Sequence, residues 1–301
     1  MGYNGFIHSL YRGIRERSSD FRFETFANQL LPYPPLAEQR AIVAFLDGRC
    51  GAIDAVVAAK ERERALLKEL KKAVIAEAVT KGVASSPASR KTKPTGIAWL
   101  PEVPEGWEIK KVRQLFKLRS TKVSDKDYPP LSVTKDGVVP QLSDVAISMA
   151  TGDSRKLVKA GDYVVNSRSD RKGSCGVSPL DGSVTTISIV LEPHDVEPRY
   201  IHYLFRSTPW VEEFYRNGRG IVADLWSTGY QQMRNMLLPY PPLAEQRAIV
   251  AFLDGRCGAI DAAEAALARE VAALKDLKRA TIAEAVTKGV CPSRVARKGV
   301  A

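Results

Sequence analysis

The side chains best suited to chemistry lie in one short run, Asn166-Ser167-Arg168-Ser169-Asp170-Arg171-Lys172-Gly173-Ser174, which mixes amide, hydroxyl and guanidinium groups behind a β-favouring segment. Such groups make directed, often paired hydrogen bonds, and they suit recognition better than bond breaking. Two further stretches carry similar groups. In Arg216-Asn217-Gly218-Arg219-Gly220 the glycines let backbone approach an anion, and Trp226-Ser227-Thr228-Gly229-Tyr230-Gln231 adds aromatic and polar groups. The densest basic run is Lys110, Lys111, Arg113, Lys117, Arg119, Lys122 and Lys126, with a single acid among residues 110–126. Each has a plain structural alternative: a polar turn for the first run, a solvated charged face for the basic one, and core or domain packing for Trp226.

Catalytic constellations are missing from the sequence. No G-x-x-x-x-G-K-[ST] loop is present for a nucleotide. Pro-Tyr-Pro-Pro-Leu has some letters of an amino-methyltransferase motif in the wrong order, and it occurs twice, each time ahead of a helical segment. His8, His194 and His202 are scattered, and so are Cys50, Cys175, Cys257 and Cys291, which form no C-x-x-C. No metal, cofactor or disulfide framework is expected, and the chain reads as a non-enzyme.

The elements that would position these groups are organised by a duplication. Residues 30–55, LLPYPPLAEQRAIVAFLDGRCGAIDA, recur letter for letter at 237–262, and with the offset held the match runs on to Val83 and Val290 with 45 of 54 positions identical. The prolines cannot lie inside a helix. From Leu36 and Leu243 no strong breaker cluster follows until Gly82 and Gly289, so each copy predicts a helix of about 45 residues, roughly 67 Å long. Gly48, Gly51, Gly255 and Gly258 predict a kink or brief break. Leu46, Ile53, Leu67 and Val74 in the first copy, and Leu253, Ile260, Leu267 and Leu274 in the second, form heptad-like stripes. Leu66 and Leu70, and Ile249, Val271 and Leu277, flank them. Each stripe needs a partner helix, and the chain supplies one of matching length. Length alone allows parallel or antiparallel packing.

Residues 101–236 differ in kind. Strand-like runs at 107–112, 130–134, 162–166 and 183–191, with helices expected at 198–207 and 208–215, predict an α+β domain of ordinary size. The 301 residues carry a net charge of +11, yet residues 84–100 and the tail 291–301 hold more than half of that excess. Global charge is therefore weak support for a nucleic-acid partner, and local clustering is better support. Residues 84–98, rich in Ser, Pro and Lys, read as flexible linker. The N-terminus lacks a signal pattern and no apolar run suits a membrane span, so a cytoplasmic protein without membrane contact is expected. Ile7-His8-Ser9-Leu10-Tyr11-Arg12 echoes Ile201-His202-Tyr203-Leu204-Phe205-Arg206, so residues 1–30 read as the end of a first unit whose second example is complete.

Taken together, PPLAEQRAIVAFLD…ID followed by a long helix, a variable domain opening GIAWLPEVPEGWE, and GDYVVNSR resemble the specificity subunit of type I restriction-modification enzymes. That resemblance implies an α+β target-recognition domain and two conserved helices packed as an antiparallel coiled coil. It divides the chain into a residual first recognition domain at 1–30, spacer helices at 31–83 and 237–290, a linker at 84–100, a complete recognition domain at 101–236 and a basic tail at 291–301. It implies double-stranded DNA, modification (methyltransferase) subunits and restriction subunits as partners. Arginine pairs bidentately with guanine and asparagine with adenine. The expected DNA contacts are therefore Lys117, Arg119, Lys122, Asn166, Ser167, Arg168, Arg171, Lys172, Arg216, Arg219, Tyr230 and Gln231. With one complete recognition domain, a second would come from a homodimer or a separate partial subunit. The alternative is a remnant that binds the methyltransferase without conferring a full two-part specificity.

Overall fold

In a computed structural model of the chain, the described residues are 23–83, 91–141, 154–220 and 226–290. The expectations for residues 7–12, for 84–90 of the linker, and for the tail with Cys291 lie outside them. The chain divides into two compact units, Met1–Lys68 with Asp261–Ala301, and Glu69–Ile260, and the division falls inside both long helices.

The first unit holds α1 (Phe23–Ala27), most of α2 (Leu36–Lys81) and the greater part of α7 (Leu243–Lys288). The prolines launch both long helices: Pro35 O accepts from Glu38 N and Gln39 N, and Pro242 O accepts from Glu245 N and Gln246 N. Both end on glycines in the left-handed region, Gly82 at φ 78° and Gly289 at φ 73°, whose N–H groups close the last turn. The kink expected at Gly48, Gly51, Gly255 and Gly258 is not there, since both helices run unbroken through these positions. An interior glycine costs about 1 kcal/mol, too little to break a helix that is packed on both sides of it.

The helices of this unit run antiparallel. Asp54 meets Lys278 at 2.6 Å, Glu61 meets Lys275 at 3.0 Å, Lys60 pairs with Glu270, and Glu264 receives both Arg64 and Lys68 at 3.1 Å, so numbers rise on one helix as they fall on the other. Ion pairs as exposed as these contribute far less than a fully buried large aliphatic side chain, which is worth roughly 1.5–3 kcal/mol. Burial of Ile42, Ile53 and Val271 therefore holds the pair together, while the charges set its direction and register. Leu46, Leu67, Leu267 and Leu274 are half-buried, whereas Leu66, Leu70 and Leu277, expected to flank the stripe, are exposed.

The second unit is α+β. Strands β1 (Thr92–Ile97) and β2 (Leu100–Pro104) form an antiparallel hairpin, so part of the expected linker is a strand: Ile97 sits opposite Leu100, and β2 carries the buried Leu100 and Val103. β3 (Glu108–Lys111) leads through α3 (Val112–Leu115) into β4 (Phe116–Leu118) and β5 (Lys122–Val123). The hairpin β6 (Leu131–Thr134) with β7 (Gly137–Pro140) comes next, then β8 (Arg155–Val158), β9 (Tyr163–Asn166), β10 (Cys175–Val177), β11 (Gly182–Val184) and β12 (Ser188–Pro193). The predicted strand at 183–191 is two strands in different sheets. The main sheet has the order β10-β9-β12-β4, and a second has the order β11-β8-β5.

Helices α4 (Pro198–Arg206) and α5 (Thr208–Arg216) bring Tyr200, Ile201, Leu204, Phe205, Trp210 and Phe214 into the core. Phe205 stacks on Trp210 at 4.7 Å and meets Tyr163 edge-on at 5.2 Å. After α6 (Tyr230–Met233), β13 (Leu237–Tyr240) pairs antiparallel with β3, so the first residues assigned to the second spacer helix are a strand. The N-terminal half of α7 then seals this core with Ile249, Val250, Leu253 and Cys257, joined by Ala78 and Val79 of α2. Gln246, fully buried, accepts from Glu197 N at 2.9 Å and donates to Pro241 O at 2.8 Å.

Candidate nucleic-acid interface

The end of β9 turns outward through Asn166 and Ser167, both buried. Asn166 Oδ1 accepts from Arg168 N at 3.1 Å, and Ser167 O accepts from Thr228 N at 2.9 Å. The Asn166 side chain and the Ser167 backbone thus shape the turn. Arg168 starts a short 3-10 helix at Ser169–Arg171, whose Ser169 N donates to Trp226 O. Ser227 bridges to both Arg168 and Arg219. Tyr215 Oη donates to Asn166 O and Arg171 O, and Thr228 Oγ1 donates to Phe214 O at 2.8 Å. Three stretches far apart in sequence, 166–174, 216–220 and 226–231, are thereby knitted into one surface.

That surface is basic but internally paired. Arg168 binds Asp170 at 2.9 Å, Lys172 reaches Glu212 at 3.5 Å and lies over the Tyr215 ring, and Arg216 pairs with Glu213. Arg171 and Arg219 are exposed and have no carboxylate partner among the described residues. Two members depart from expectation. Trp226, expected to be core or packing, is exposed at 38%. Arg234 lies over the Tyr230 ring and donates to Gln231 Oε1 at 3.3 Å. Its signal was available in the sequence, an arginine one helical turn after Tyr230.

The other expected contacts lie apart. Arg119 is held by Asp162 at 2.7 Å and Glu192 at 3.2 Å, and Asp162, 2% exposed, also accepts from Lys159 N. The hydrogen bonds that Arg119 donates to Asp162 raise its pKa further, and they clamp the end of β4 to the turn before β9. Lys117 sits opposite Glu192, while Asn166 sits opposite Ser188 on the same strand, about 13 Å away at 3.3 Å per residue. Lys122 is exposed on the second sheet. The seven-residue basic run is therefore spread over several elements and forms no single patch.

Among the described residues, the pKa of Tyr215 at this surface is raised by burial, and its hydroxyl is engaged by the carbonyls of Asn166 and Arg171. Burial raises Cys175 to about 11, and burial together with Arg206 and Arg199 lowers His202 to about 4. Cys175 belongs to the packed core, and His202 is half-buried beside Arg206. Among the described residues no cluster of His, Cys, Asp and Glu could hold a metal ion, and no helix is long and apolar enough to cross a membrane.

An α+β unit with an outward-facing polar loop cluster, and an antiparallel pair of duplicated helices, are the two parts of the described chain. The chain is 24% identical over 282 residues to the specificity subunit of the type I restriction enzyme EcoBI from Escherichia coli, a match covering 87% of this chain and 58% of that relative. A solved structure described as the basis of complex assembly and conformational transition of the type I R-M system shares the fold with a TM-score of 0.68 at 20% identity, over 94% of this chain and 68% of that one. No protein-family model matches the chain. The resemblance carried by the doubled PPLAEQ helix is borne out, and the chain spans less than three fifths of the curated relative's length.

Proposed function

We propose that the chain is a DNA-recognition and assembly subunit of a type I restriction-modification complex, acting in the cytoplasm and directing methylation and restriction performed by partner subunits. The single observation that carries this reading is the joining of 166–174, 216–220 and 226–231 into one exposed, basic surface on a chain similar over most of its length to a specificity subunit. Arg171 and Arg219 supply phosphate contacts, and Arg168, Lys172, Arg216, Tyr230 and Gln231 supply groups that reach base edges or stack. The antiparallel helices hold the modification subunits, and the restriction subunits join that assembly. The chain contributes no bond-breaking group.

The test is duplex binding by the chain with its modification subunit across a salt series. Removing one phosphate-binding side chain should reduce the salt slope by about 0.9. Replacing Arg168 and Arg171 together should relax sequence choice while leaving subunit assembly intact. Unchanged specificity would remove this loop from readout.

A further inference from the structure

The second sheet carries two lysines that the fold leaves without a counter-charge. Lys122 on β5 stands directly opposite Lys156 on β8, so both side chains leave the same face with Cβ atoms about 4.5–5.5 Å apart. Neither has a carboxylate partner among the described residues, and like charges placed directly opposite destabilise a strand pair. The neighbouring Arg155 shows how this sheet provides for a charge that serves the core. It is 4% exposed and donates to Ser183 Oγ at 2.8 Å and to Ser183 O at 3.0 Å; burial lowers its pKa while the Asp125 charge opposes the shift. Lys156 is served differently. Its ammonium has three N–H donors and one acceptor, Ser188 O at 2.6 Å, and burial lowers its pKa with no acid to oppose it.

That one acceptor fixes where the charge lies. Ser188 begins β12 and pairs with Asn166, which ends β9 and opens the loop that carries Arg168 and Arg171. Opposed residues on antiparallel strands have Cα atoms about 4.5–5.5 Å apart, so the Lys156 ammonium lies within about 11 Å of the Asn166 backbone. Lys156 is half-buried and Lys122 exposed, so the pair opens to solvent.

We infer that Lys122 and Lys156 form a phosphate seat for the same nucleic-acid strand that the loop cluster engages, and that this strand runs from residues 166–174 over the start of β12 onto the second sheet. The inference rests on the proposed function for its ligand and on the strand pairings for its geometry. A phosphodiester oxygen between the two ammonium groups converts a repulsive pair into a bridged one and takes up N–H donors that Lys156 leaves unused. Lysine suits the task, because it binds phosphate as a compact point charge and reads no base. The seat adds affinity and register, whereas sequence choice stays with the loop cluster.

A salt-series titration of duplex against the chain with a type I modification subunit tests the seat. Lys122 makes no described bond, so Lys122→Gln should leave Tm unchanged and reduce the salt slope by about 0.9. Adding Lys156→Gln, which keeps an N–H donor for Ser188 O, should bring the loss to about 1.8 without altering the preference among duplex sequences. Lys156→Arg restores the charge and should recover its share of the slope. Acetylation by acetic anhydride, read by mass spectrometry, gives an independent reading on the unaltered chain: duplex should protect both lysines, and inorganic phosphate at equal ionic strength should not. Protection by inorganic phosphate but not by duplex would mean a free-anion site and would overturn the inference. So would an unchanged slope in the double variant while Arg171→Ala with Arg219→Ala still lowers it, a result that leaves the DNA reading standing. A slope near zero for the unaltered chain would refute both.

Discussion

Arg64 Nη2 lies 3.1 Å from Glu264 Oε1, and neither residue has a like residue at the same place in the other copy: Arg64 aligns with Val271 and Glu264 with Val57. All nine differences between the copies fall between residues 56 and 74 of the first, the middle of the helix, where the antiparallel partners cross. Where a duplicated helix meets its own copy, identical sequences would set like charges near each other. Divergence at the crossing replaces them with opposite ones, and the neighbouring Lys68 and Arg64 hold the Glu264 carboxyl below its usual range.

The ion pairs and the apolar stripe should separate in a stability experiment. Glu264→Lys should lower the urea midpoint only slightly, and adding Arg64→Glu should recover part of that loss. Leu267→Asp with Leu274→Asp should cost several times as much, because each puts a charge into the seam. Urea melts followed by circular dichroism measure both. A larger loss from the charge variant would show that the electrostatic term dominates.

Arg119 and the pair Arg171 and Arg219 should behave in opposite ways. Arg119→Ala leaves Asp162 buried without its main partner and should cost about 3 kcal/mol with the DNA salt slope unchanged. Arg171→Ala with Arg219→Ala should leave Tm nearly unchanged and reduce the slope by about 1.8. Calorimetry and salt-series titrations check the two halves.

His202 predicts an acid-side loss of stability. Burial first, then Arg206 and Arg199, hold its pKa at about 4, below the usual 6.5, while Asp254 opposes them. The unfolded chain takes up this proton near pH 6.5, so the contribution is complete above that pH and is lost as pH falls towards 4, by at most about 3 kcal/mol. His202→Gln should flatten the dependence of the urea midpoint between pH 7 and pH 4.5. An unchanged profile would assign that slope to other groups.

The parts most legible in the sequence were those with long-range order in a single dimension. Duplication, flanking prolines and terminal glycines defined both helices, and of the expected stripe Ile53, Leu253 and Ile260 are buried. Of the expected flanking residues, Ile249 and Val271 are buried, whereas Leu66, Leu70 and Leu277 lie outside the narrow seam and are exposed. In the domain, β9 and α4 were visible from periodicity, but β1 was hidden by Pro94 and lysines that an exposed hairpin tolerates. Arg119 could not be told from a DNA contact, since its partner Asp162 is distant in sequence. Conversely, the meeting of Arg168, Arg219 and Ser227 depends on tertiary pairing that no local pattern encodes.

The most direct measurement is to co-express the chain with a type I modification subunit in a methylation-free host and to map modified bases across the genome. The account predicts a methylated motif that appears only with this chain and changes when residues 101–236 are exchanged for another recognition domain. A stable complex that leaves the genome unmethylated, or a motif indifferent to that exchange, would contradict it.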